Sequence, residues 1–131
     1  MVVSFYTIES MKAVIFFGHG ARDVRWREPF DRLRSMWQSQ YPGVLVELAF
    51  LELMQPNLLT AIHTLQSQGA NDIQIIPVFF GQGGHLREDF PKLLQEAKTQ
   101  FPDLHLRTSL AVGEDESVLK AIIALSARAL G

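Results

Sequence analysis

Two histidines stand beside glycines at points where apolar runs end. His19 lies between two glycines, and His85 follows a loop that holds Gly81, Gly83 and Gly84. Neutral imidazole binds borderline divalent metals, and it accepts a proton near neutral pH. Glycines allow positive φ angles and let a ligand come close to the backbone. The pattern therefore predicts a site that handles a metal ion or a proton.

The residues alone leave other interpretations open. Either histidine could be a loop residue that is hydrogen-bonded to backbone, and two histidines are too few for a structural metal, which usually has four ligands. Two histidines are better suited to a metal ion that is bound for a short time and then passed on. Glu52, among apolar neighbours, is a third candidate ligand or an exposed strand-end group. We interpret His63 and His105 as structural, because both fall outside these loops.

Four arginines lie in or near the two histidine loops. They could pair with the carboxylates of an anionic ligand, or they could form a solvated face. They are Arg22, Arg25, Arg27 and Arg87.

Composition bounds the class of protein. The chain has 131 residues, 47% of them hydrophobic and 20% charged, which is typical of one globular domain. A net charge of −2 argues against nucleic-acid binding. With no cysteine in the sequence, a metal must use His, Asp or Glu. No apolar run approaches the ~20 residues of a membrane span, and we expect a cytoplasmic protein. Residues 1–10 are predicted to be an N-terminal extension to a domain at 11–131.

Apolar runs alternate with helical periodicity along the chain. Such alternation predicts an α/β fold, a single doubly wound domain with helices on both faces of a four-stranded parallel sheet. Of the possible orders we favour the flavodoxin-like order 2-1-3-4, which brings His19 and His85 to one crevice. Pro91 is acceptable only in the first turn of the third helix. The strands are predicted at 12–17, 44–51, 73–79 and 104–112, and the helices at 28–40, from 57 to 69, at 88–100 and from 117 to 130.

Two enzyme classes are disfavoured by the residues around His19. The Walker pattern and G-x-G-x-x-G are both absent, so no nucleotide is implied. A histidine phosphatase also places a histidine after its first strand, but it needs an arginine directly before it. Gly18 occupies that position here.

From about residue 12 onward the sequence resembles the short CbiX-type sirohydrochlorin chelatases, which are class II chelatase-like. The resemblance rests on GHGxR at 18–22, FLExxxP at 50–56, Gly69-Ala70, and PVFFxxGxHxxxDFP at 77–91. Two positions depart from the family pattern. Ala21 stands where the family usually has Ser, and Gln55 stands where some members have Glu.

The resemblance implies a chelatase half-unit that pairs as a homodimer. It implies ATP-independent insertion of a divalent metal into sirohydrochlorin, in tetrapyrrole biosynthesis of the cobalamin or sirohaem type. The metal is a substrate, Co²⁺ first and Ni²⁺ or Fe²⁺ as alternatives, and no tightly bound cofactor is expected. A carrier of tetrapyrrole or metal, without turnover, is the alternative.

The resemblance also implies roles for individual residues. His19 and His85 match the metal-handling histidines, and His19 matches the proton acceptor. The substrate-contact positions are Gln55, Phe80, Gly81, Gln82, Gly83, Gly84 and His85.

Overall fold

The computed structural model describes residues 11–81 and 83–131, with the backbone alone at Gly84 and His85. The predicted extension at 1–10 and the candidate Gln82 lie outside the described residues. Among the described helices, none is long and apolar enough to cross a membrane. In chain order the elements are β1 (Lys12–Gly18), a 3-10 helix (Val24–Arg27), α1 (Glu28–Gln40), β2 (Leu45–Phe50), α2 (Leu58–Ser67), β3 (Asp72–Pro77), α3 (Gly84–Gln100), β4 (His105–Thr108), a second 3-10 helix (Val112–Glu114) and α4 (Glu116–Leu130).

All four strands are parallel and lie in the order β2-β1-β3-β4, as predicted. The central strand β1 pairs on both sides, with Ile15 opposite Glu47 of β2 and Ile75 of β3. A central parallel strand is covered on both faces, which explains why β1 is apolar without alternation. Its carboxyl end and that of β3 meet at one edge of the sheet.

Two apolar clusters form the core, one on each face of the sheet. On one face α2 and α3 pack against the odd-numbered side chains of β1 and β3. There the ring of Phe17 stacks on Phe90, with centroids 5.3 Å apart. On the other face α1 packs against the even-numbered side chains of β1 and β2, and Ile76 and Val78 flank that cluster. One face thus carries two helices and the other carries α1.

Two predicted boundaries are wrong for identifiable reasons. The strand predicted at 104–112 ends at Thr108, because the chain then bends towards the loop after β3. Gly113 makes this contact: a Cβ there would lie 1.7 Å from the carbonyl oxygen of Phe80. Helix α3 begins at Gly84 rather than 88, because Gly83 is its N-cap. Pro91 is therefore inside the helix and not in its first turn.

Helix α4 forms where the sequence predicts a helix, but it does not cover the sheet. None of its residues is buried. Asp115 caps its first turn by accepting a hydrogen bond from the Val118 amide, at 3.1 Å. The expectation of helices on both faces holds for α1, α2 and α3, and α4 projects from the domain.

Candidate functional site

Backbone hydrogen bonds join the loop after β1 to the loop after β2. Gly18 accepts a hydrogen bond from the Leu51 amide at 2.9 Å, and His19 accepts one from the Glu52 amide at 3.2 Å. Gly20 has a φ of +93°, and a Cβ at this position would lie 1.8 Å from the Glu52 carbonyl oxygen. Glycine is required there on both counts. The backbone thus holds His19 and Glu52 side by side.

The side chains of these two residues form an open pair. His19 Nε2 lies 3.7 Å from Glu52 Oε1, and the side chains are 47% and 45% exposed. The other ring nitrogen, Nδ1, lies 3.4 Å from the Gly20 carbonyl oxygen. Such a pair can hold a divalent cation between imidazole and carboxylate, and solvent has access to it. Among the side chains that the structure describes, no group of three or more such ligands is close enough to hold a metal.

The glycine loop after β3 lies next to His19. Together with His19, residues of this loop line a depression of about 380 Å³ at the carboxyl edge of the sheet. Phe80 exposes 68% of its surface there, and an exposed aromatic ring can pack against a flat ligand. The lining is completed by Val78, Phe79, Gly81, Gly83 and Leu86.

Two hydrogen bonds fix the backbone at the base of this loop. The Val78 amide donates to the carbonyl oxygen of Phe17 at 2.7 Å, and the Gly113 amide donates to the carbonyl oxygen of Phe79 at 3.0 Å. Beyond the loop, Gly84 and His85 form the start of α3. The backbone of His85 thus begins a helix at the same edge that carries His19, and its role stays a prediction.

An aromatic group behind His19 is not found by the sequence analysis. Trp26 stacks on Phe30, with centroids 5.0 Å apart and an interplanar angle of 29°. Both rings cover Gly18: a Cβ there would lie 2.5 Å from Phe30 and 3.2 Å from Trp26. Since Trp26 is 37% exposed, it forms part of the surface next to Gly18, the residue before His19. A tryptophan seven residues after His19 is the signal that could have indicated it.

The arginines differ in how they are engaged. Arg25 binds Asp23 at 2.7 Å, and its side-chain and backbone hydrogen bonds lower the pKa of that carboxyl below its ordinary value. Arg27 lies over the ring of Phe50, 5.1 Å from its centroid, and donates to the Gln55 carbonyl oxygen at 3.1 Å. Arg22 is exposed and makes no ion pair with the described residues, so it is open to an anionic ligand.

The remaining two histidines lie away from this edge. His63 is exposed on α2, and His105 begins β4 at the opposite edge of the sheet. Neither is among the residues that line the depression at His19. Gln55 contributes its carbonyl oxygen to the contact with Arg27, and the residue itself is exposed.

Comparison with known families and curated proteins gives one consistent result. The CbiX family model matches residues 13–129. The sirohydrochlorin cobaltochelatase of Saccharolobus islandicus is 30% identical over 86% of this chain and 91% of its own length. The sirohydrochlorin cobaltochelatase of Priestia megaterium is 32% identical, and the ferrochelatase of Bacillus subtilis is 24% identical. The matched regions are 36% and 42% of those two longer proteins.

Two solved structures share the fold. A CbiX protein of cobalamin biosynthesis from Marinobacter aquaeolei superposes with a TM-score of 0.79 at 25% identity, over 91% of this chain and 94% of that one. The sirohydrochlorin chelatase SirB from Bacillus subtilis subspecies spizizenii, in complex with cobalt, gives a TM-score of 0.74 at 24% identity. That match covers 87% of this chain and 49% of SirB.

Proposed function

Because the chain belongs to the CbiX family, we propose that it inserts a divalent metal, Co²⁺ first, into sirohydrochlorin without ATP. The observation that carries the proposal is the depression in which His19 meets the glycine loop. It is open to solvent at the sheet edge, where a flat macrocycle could enter. The loop glycines 81 and 83 have open space at their Cβ positions, so a ligand could approach the backbone there.

Metal insertion requires two kinds of group. The ion must lose water and pass from protein ligands to four ring nitrogens, and two pyrrole N–H protons must leave as the metal–nitrogen bonds form. In balance, a divalent ion and the free macrocycle give the metal complex and two protons. Imidazole and carboxylate serve both needs, since each binds a divalent ion when deprotonated and accepts a proton afterwards.

We assign these roles to the pair at the carboxyl end of β1. His19 would first hold the ion, with Glu52 as a second ligand 3.7 Å away, and His85 would supply a further nitrogen from the start of α3. Once the ion has moved into the ring, His19 would accept one of the pyrrole protons. An ion that has only two or three protein ligands is held loosely. Loose binding suits a metal that has to be released to the substrate.

The substrate would be held by the loop and the exposed cations. The ring of Phe80 would pack on the macrocycle. Arg22 would pair with a peripheral carboxylate, because a guanidinium binds that group bidentately. Gln55 and Gln82 are further contact positions under this proposal. The proposal also includes the homodimer and the cytoplasmic location that we expect from the sequence. Measurement of the mass in solution tests the homodimer, and cell fractionation tests the location.

Alanine variants of the two histidines test these roles. His19→Ala and His85→Ala should each lower the rate of Co²⁺ insertion about 10²–10⁴-fold, the usual contribution of a general acid or base. Since His19 is exposed at a loop, the thermal unfolding midpoint of its variant should equal that of the native protein. His63→Ala is the matched control, because it removes an exposed histidine from α2 and should leave the rate unchanged. A native rate in His19→Ala would remove this residue from the mechanism.

A further inference from the structure

The Glu52 loop, residues 51–56, lies between β2 and α2 and carries the carboxylate of the candidate site. Its first two amides, those of Leu51 and Glu52, donate to carbonyl oxygens of the loop after β1 at 2.9 and 3.2 Å. At its other end, the Pro56 carbonyl oxygen accepts a hydrogen bond from the Phe50 amide at 2.9 Å. These backbone bonds fix the two ends of the loop, and its turn lies between them.

The turn of this loop has an unfavourable backbone conformation at Leu53. Its φ is +66°, whereas every other positive φ in the part of the chain that the structure describes belongs to a glycine. A left-handed conformation is costly for a residue with a Cβ, and it persists only where the surrounding structure holds it. The Leu53 side chain does not hold it, because 56% of the residue is exposed. The turn that follows Glu52 therefore needs a contact from outside the loop.

Arg27 makes a contact of this kind two residues beyond Leu53. Its Nη1 donates to the carbonyl oxygen of Gln55 at 3.1 Å. Its Nε and Nη2 donate to the carboxylate of Asp31 at 3.3 and 3.2 Å, and its guanidinium lies 5.1 Å from the centroid of the buried Phe50 ring. The side chain is only 30% exposed. Contacts to α1, to β2 and to the loop thus fix the guanidinium.

A neighbouring arginine has no such link between segments. Arg32 forms an ion pair of the same i,i+4 type, with Glu28 at 2.7 Å, but its side chain is 67% exposed and the pair lies within α1. Exposed pairs of this type contribute little to stability. Arg27 instead joins two segments that are 28 positions apart. Its hydrogen bond to the loop therefore bears on where the loop lies, and not on whether the helix forms.

From these contacts we infer that Arg27 is a positioning residue for Glu52, which fixes the turn of the Glu52 loop against α1 and thereby holds the carboxylate beside His19. Both side chains of this pair are nearly half exposed, so their separation of 3.7 Å depends on where the two backbones lie. Since its Nε, Nη1 and Nη2 are all engaged within the chain, Arg27 is not presented to an anionic ligand as the exposed Arg22 is. The inference rests on the proposed function for the role of Glu52 as a metal ligand.

Hydrogen exchange tests the position of the loop without metal or substrate. Arg27→Met keeps an unbranched apolar side chain over Phe50 but removes every donor. The amides of residues 51–55 should then exchange about 10-fold faster by mass spectrometry, the change expected when a hydrogen bond from a charged donor is lost. Arg32→Met is the matched control, because the pair that it breaks lies within α1, and it should leave exchange in the loop native. Native exchange in Arg27→Met would overturn the inference whether or not the protein inserts metal.

Calorimetry with Co²⁺ alone tests whether Arg27 acts through Glu52. Arg27→Met should weaken Co²⁺ binding about 10-fold, as does the loss of a group that supports a metal ligand. In a Glu52→Gln background the same substitution should cause no further loss, because the carboxylate that Arg27 holds in place is already absent. Equal loss in both backgrounds, or no loss in either, would overturn the inference.

Steady-state kinetics separate this inference from the proposed function. In Arg27→Met we expect kcat for Co²⁺ insertion to fall about 10-fold and KM for sirohydrochlorin to stay native, because Arg27 does not contact the macrocycle. A raised KM with native Co²⁺ affinity would show that Arg27 binds a carboxylate of the macrocycle, which would overturn the inference. Coupling of Arg27 to Glu52 in Co²⁺ binding, without any insertion by the native protein, would support the inference and refute the proposed function.

Discussion

Replacement of Gly20 by alanine should separate the two loops that hold His19 and Glu52. The φ of +93° costs a residue with a Cβ about 1–3 kcal/mol. In addition, the new Cβ would lie 1.8 Å from the Glu52 carbonyl oxygen, whereas ordinary contact begins at 3.4 Å. One loop must therefore move by more than about 1 Å, and a displacement of that size near reacting groups can cost ~10²-fold in rate.

Two assays on the Gly20→Ala variant measure these effects separately. Thermal unfolding followed by circular dichroism should show a midpoint lowered by roughly 5–10 °C for a loss of about 2 kcal/mol. Co²⁺ insertion, measured well below that midpoint, should be about 10²-fold slower. Gly43→Ala is the control, because a Cβ there meets nothing within 4 Å. Native stability and native rate in Gly20→Ala would refute the idea that this contact positions the pair.

Three further substitutions probe the metal pair, a helix cap and the core. Glu52→Gln keeps the shape of the side chain but removes its charge, so calorimetry should show Co²⁺ binding about 10–100-fold weaker; unchanged affinity would exclude Glu52 as a ligand. Asn57→Ala removes the acceptor for the Thr60 amide at 2.9 Å and should cost about 1 kcal/mol in urea unfolding, while a native midpoint would show that the cap is dispensable. Phe17→Ala removes a fully buried ring and should cost about 3–5 kcal/mol; a loss below about 1 kcal/mol would contradict the packing described.

The sequence predicts β1 and the sheet order well, and it predicts β4 poorly. After the exposed Lys12, β1 is buried on both faces, so its residues from 13 to 18 carry no polar side chain and its limits are visible in the sequence. Residues 109–112 after β4 include Leu110, Ala111 and Val112, which resemble a strand continuing. The chain leaves the sheet there because Gly113 packs against the backbone of Phe80. That contact is between distant segments, and no local pattern encodes it.

The candidate site could likewise be predicted from the sequence only in part. Parallel strands bring their carboxyl ends to one edge, so the proximity of His19 to the glycine loop could be expected from strand order. The place of Trp26 in the site could not be predicted from the sequence, because it depends on contacts with Phe30 of α1 and Phe50 of β2. For α4 the sequence indicates an apolar helix, but periodicity does not indicate that none of its residues is buried against the sheet.

The central claim is catalytic insertion of metal into sirohydrochlorin, and multiple-turnover absorbance measures it most directly. Purified protein would be mixed with Co²⁺ and a large excess of sirohydrochlorin, without ATP, beside a blank that lacks protein. We expect the visible spectrum to convert to that of the metal complex over many equivalents per chain, much faster than in the blank. Binding of macrocycle and metal with no acceleration beyond one equivalent would contradict the claim and would instead support a carrier.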